Sequence, residues 1–124
     1  MFDQDQKTVT ETRKIGRNRG KPRLWLEGHI LESAGLFHGS RWILIEHIQG
    51  IDIVAVEGDG PKWNGHRVRK VSGNKRRPVI DISGGSLKQC SLVGGEPWDS
   101  VALSYEPGSG FIAVRFDYKM EAFS

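Results

Sequence analysis

The chain has 124 residues, a net charge of +3 and one cysteine. That length suits a single domain with a real core, and the lone Cys90, read as a small buried hydrophobe, rules out an internal disulfide. No apolar run approaches the roughly 20 residues of a membrane helix. The start, Met1-Phe2-Asp3-Gln4-Asp5, lacks the layout of a secretion signal, so a reducing cytoplasm is the expected location.

Residues 1–12 are polar and show no apolar period, which reads as a flexible N-terminal lead-in. Residues 13–23 carry Arg13, Lys14, Arg17, Arg19, Lys21 and Arg23 with no acid. Gly16 and Gly20 make this basic arm pliable, and Pro22 stops a helix. Leu24 and Leu26 alternate around Trp25, a short strand ended by Gly28. Ile30, Leu31, Ala34 and Leu36 have helical spacing over 29–36, and Gly35 is placed to cap that helix. The runs 41–48 and 51–57 are β-rich on either side of Gln49-Gly50, a hairpin signal. Trp42 and Leu44 mark one face of the first run, Ile43 and Ile45 the other. A strand apolar on both faces is buried on both, within a barrel or under another chain, so a homodimer is one expectation.

Residues 58–66 read as a turn-rich link that contains Trp63. A second basic arm, 67–77, carries Arg67, Arg69, Lys70, Lys75, Arg76 and Arg77, again with no acid. A strand over 79–82 and a weaker helix over 86–92 follow. The runs 98–105 and 110–116 form another hairpin around Glu106-Pro107-Gly108-Ser109. The tail, 117–124, keeps Tyr118, Met120 and Phe123, enough apolar surface to dock.

The order of these pieces repeats. Shifted by 56 positions without a gap, Arg13-Lys14-Ile15 falls on Arg69-Lys70-Val71, Asn18 on Asn74, Pro22 on Pro78, Leu24 on Ile80 and Leu26 on Ile82. Gly28 then meets Gly84, Gly39 meets Gly95, and Trp42 meets Trp98, a pair read as core. Self-similarity of this kind governs architecture. The expected fold is mainly β with short helices: two β-α-β-β repeats, 13–57 and 67–116, forming one small pseudo-two-fold barrel that removes open sheet edges.

The string Leu26-Glu27-Gly28, Leu31-Glu32-Ser33-Ala34-Gly35-Leu36-Phe37, Gly39, followed by a hairpin, resembles the SymE-like branch of the AbrB/MazE swapped-hairpin proteins. The resemblance covers residues 22–57, and more faintly 78–115, where the phrase decays to Leu87-Lys88-Gln89-Cys90-Ser91-Leu92-Val93-Gly94-Gly95. It implies a fold in which hairpins are exchanged between two units, here fused in one chain. It also implies DNA binding of the kind found in transcription regulators and antitoxins, or the RNA-directed toxicity ascribed to SymE. The arm-and-strand phrase is also similar to extensions beside phage-type DNA methyltransferases, although no methyltransferase motif is present.

The two arms hold 12 of the 18 basic residues, so the rest of the chain has 6 basic against 15 acidic residues. Such crowding suits a polyanionic partner. The expected activity is therefore non-enzymatic nucleic-acid binding, duplex DNA ahead of RNA, with both arms side by side on one surface. Arginines and lysines would grip phosphates, and Arg17, Asn18, Arg19 and Asn74 would carry any base preference. Trp25 faces away from Leu24 and Leu26; it either stacks a base or seats a partner, or lies under a neighbouring segment. Trp63 has the same two readings. A phage-type inhibitor of a host nucleoprotein, such as an RNA-guided defence complex, could use the same cations. For a SymE-like nuclease the candidates would be His29, His38 and Glu27. The histidine spacings match no metal signature, and no cofactor motif is present.

Overall fold

Alternation of inward and outward side chains runs through most of the chain, and the computed structural model turns it into strands. The structure describes residues 8–18, 21–83, 87 and 100–116. In chain order the strands are β1 (Val9–Lys14), β2 (Gly16–Asn18) and β3 (Lys21–Glu27), then helix α1 (His29–Ala34), β4 (Arg41–His47) and β5 (Gly50–Ala55). After them come β6 (Lys62–Trp63), β7 (His66–Arg67), β8 (Arg69–Lys70), β9 (Ser72–Gly73), β10 (Pro78–Ser83), β11 (Ser100–Tyr105) and β12 (Phe111–Phe116).

The fold is mainly β, in open sheets. One sheet has six strands in the order β1-β11-β12-β5-β4-β8, another four in the order β2-β3-β10-β9, and β6 and β7 form a separate ribbon. All pairings are antiparallel. The core brings Leu24, Leu26, Ile80 and Ile82 of the smaller sheet together with Ile51, Ile53, Leu103, Ile112 and Val114 of the larger one. Burial of each such side chain contributes about 2 kcal/mol. Ile43, on the opposite pleat from Trp42, is buried too, on the strand against which β7 lies.

The helix obeys its spacing: Ile30, Leu31 and Ala34 are buried, and Gly35 caps it in the left-handed conformation at φ 92°. Its last carbonyls are satisfied from far along the chain. The Gly108 amide donates to the Ser33 carbonyl at 2.8 Å and the Gly110 amide to the Ala34 carbonyl at 2.6 Å, so the β11–β12 turn closes the helix end.

Three expectations change. β1 begins at Val9, within the stretch read as a lead-in, with Val9, Glu11 and Arg13 half-buried and their neighbours exposed. Its inner face is largely polar, so it has no apolar period to detect. The arms are not pliable tethers either, because β1, β2, β8 and β9 are all paired in sheets. The gapless shift also fails in the hairpins. Arg13 lies opposite Val101 and Arg69 opposite Trp42, so the residue that holds against Arg13 the place of Trp42 against Arg69 is Val101, 59 positions on, and not Trp98. Trp98, Cys90, the tail and, apart from the buried Leu87, the helix over 86–92 lie outside the described residues.

Candidate nucleic-acid interface

Each arm crosses from one sheet to the other. β1 leaves the six-stranded sheet at Ile15 and becomes β2 in the four-stranded one. β8 does the same at Val71 and becomes β9. Ile15 and Val71 are both buried, because a residue between two sheets lies in the core. Beyond these pivots each arm folds back as a hairpin, β2 onto β3 and β9 onto β10. The second hairpin ends in reciprocal Asn74–Arg77 backbone bonds of 3.1 Å, with Lys75 and Arg76 at its tip.

β3 and β10 are antiparallel neighbours, with Trp25 opposite Asp81. The two hairpins enter these strands at Lys21 and Pro78, which lie at opposite ends of the four-stranded sheet. About eight residues at about 3.3 Å each separate them, some 25 Å. The expectation of arms side by side is corrected by this register.

The cations fall into two groups. Arg13 Nε lies 2.9 Å from Glu11 Oε1. Arg23 makes two 2.9 Å bonds to the Asp81 carboxylate, and its guanidinium sits 4.7 Å over the Trp25 ring. The Asp81 hydrogen bonds hold the Arg23 pKa above its usual value. Arg77 approaches Glu27 at 3.7 Å while staying largely exposed. By contrast Lys14, Arg67, Lys70, Lys75 and Arg76 are exposed, with no carboxylate in ion-pair range among the described residues. Arg69 is half-buried over Trp42, 5.3 Å from ring centre. Burial first, and then the charge of Arg67, press its pKa below the usual arginine value.

Asn74 is not free to read a base in the way expected. Its Oδ1 accepts from the amides of Arg76 and Arg77, both at 2.9 Å, and this side chain holds the turn. Arg19, and the side chains of Arg17, Asn18 and Lys21, lie outside the described residues. Trp25 and Trp63 are 42% and 43% exposed, among the few large apolar side chains at the surface.

Two features were missed from sequence. The first is the ribbon β6–β7 inside the supposed link, closed by a 2.9 Å bond from the Val68 amide to the Pro61 carbonyl. Asn64 and Gly65 form its tip at φ 49° and 86°; the Asn-Gly pair was the available signal. The second is a tie between the two long hairpins. Asp52, 7% exposed, accepts from Arg115 Nη1 at 2.9 Å and bonds His47 Nε2 at 2.6 Å. No local pattern announces it, since Arg115 is 63 residues from Asp52.

The nuclease candidates are not linked. His29 bonds Ser33 Oγ at 3.1 Å, Glu27 faces Arg77, and His38 is exposed in the turn after α1. Among the described residues no group of three His, Cys, Asp or Glu side chains could hold a metal ion, and no helix is long and apolar enough to cross a membrane. No protein-family model, no curated protein and no solved structure matches this chain.

Proposed function

We propose that the chain is a cytoplasmic, non-enzymatic nucleic-acid-binding module that neutralises the phosphates of duplex DNA, in preference to RNA, with its two basic arms. The observation that carries the reading is the exposed set Lys14, Arg67, Lys70, Lys75 and Arg76, which has no carboxylate partner among the described residues. Like charges gathered without compensation raise the energy of the free protein, and a polyanion lowers it again. Arg13 and Arg23 contribute less, because each would first have to leave its acid.

The reading includes a fused swapped-hairpin pair of the SymE/AbrB type. Strand order supports it. Exchanging β1 with β8, β11 with β4 and β12 with β5 returns the six-stranded order, and exchanging β2 with β9 and β3 with β10 returns the four-stranded one. β1 borders the hairpin of the second repeat, while β8 borders that of the first.

Gel shifts with duplex DNA and single-stranded RNA at 50 and 200 mM salt test the function. Each neutralised phosphate adds about −0.9 to the log–log salt slope, so four contacts predict a loss on the order of 100-fold over that range. Absence of any binding at the lower salt, with a protein still co-purifying after nuclease treatment, would move the function to a protein target.

A further inference from the structure

We propose that the β6–β7 ribbon is the sequence-reading element, entering the major groove of duplex DNA with Asn64 and Arg67 facing base edges while Lys62 and Lys70 hold flanking phosphates. The inference rests on the nucleic-acid reading above and adds a specificity site to it.

Several observations converge on this ribbon. From Gly60 to Ile80 the chain contains no Asp or Glu, so nothing in that span repels phosphate. Lys62, Trp63, Asn64 and Arg67 are all exposed. The ribbon is held in shape before any ligand arrives: the Pro61–Val68 bond closes its base, the left-handed Asn64-Gly65 pair fixes its tip, and β7 lies against β4. A rigid element loses little entropy on docking. Two strands about 5 Å apart, with their side chains, fit a major groove about 12 Å wide.

The chemistry of the tip matches base edges. A free Asn amide can pair bidentately with adenine and an Arg guanidinium with guanine. Asn74 has spent its acceptor on its own turn, whereas Asn64 makes no side-chain hydrogen bond among the described residues. Arg67 bears on Arg69 as a like charge, a repulsion that a bound phosphodiester relieves. The deep, narrow major groove of A-form RNA would refuse the same ribbon.

The test is selection from randomised duplexes, using the full chain and its Asn64→Gly and Arg67→Ala variants. Glycine accepts the positive φ at the tip, so Asn64→Gly removes the amide and keeps the turn. The intact chain should select a site. Each variant should lose discrimination at one base pair by about 5- to 100-fold, with less than a twofold change in non-specific affinity for Asn64→Gly. In the intact chain, guanine N7 within the site should be protected from methylation. Salt-sensitive binding without base preference, preference untouched by both variants, or unprotected N7 would each overturn the ribbon and leave phosphate binding standing. Failure to bind any duplex would overturn both.

Discussion

At the scale of single residues, several side chains do something other than what their type suggests. Gly50 sits where β5 passes β12, and a Cβ there would come within 1.9 Å of the Val114 carbonyl oxygen. Gly50→Ala should therefore force the central strands apart and lower stability by about 3 kcal/mol in a denaturant titration; a loss below 0.5 kcal/mol would show that the strands can yield. The register pairs Gly50 with both His47 and Arg115, the two residues that meet at Asp52. Trp25 was legible as an outward residue because its neighbours alternate. The occupation of Arg23 by Asp81 was not, because the strand pairing that joins them spans 58 positions.

Elements were legible wherever a local rule dictated them. Helix α1 follows apolar spacing and a glycine cap, and the β4–β5 hairpin follows two apolar runs around a turn. The turn itself is Ile48-Gln49, with Gly50 opening β5. β1 escaped because an edge strand can carry Thr, Glu and Arg when its partner supplies the apolar surface. The hairpin β9–β10 shows how one polar side chain can specify an element. Asn74→Ala removes the acceptor for two amides and should cost about 1 kcal/mol. Hydrogen exchange at Arg76 and Arg77 should accelerate, while base preference of the bound DNA should not change. Accelerated exchange with altered preference would return Asn74 to the reading surface.

At the scale of the whole molecule, antiparallel pairing of β3 with β10 places the strand starts Lys21 and Pro78, where the two hairpins enter, about 25 Å apart. One duplex can meet both only if it is long enough, about 8 base pairs at 3.4 Å per step. Affinity should thus rise steeply as the duplex is lengthened from 6 to 12 base pairs and flatten beyond. A smooth rise in proportion to length would mean that the tips act independently. Ion pairs can hold Arg13 and Arg23 without abolishing the proposed grip, since among the described residues the exposed cations without a carboxylate partner lie mostly on the second arm and on the ribbon beside it.

Local order along the chain was sufficient to announce a β-rich molecule, the glycine-capped helix α1 and two acid-free cationic stretches. These depend on near neighbours: apolar alternation, glycine at positive φ and charge counted over ten residues. The tertiary structure alone decided that the arms are sheet edges, that their tips diverge, and which arginines are already engaged. Those outcomes come from strand register, which pairs residues 52 to 96 positions apart, and no short window of sequence contains both partners.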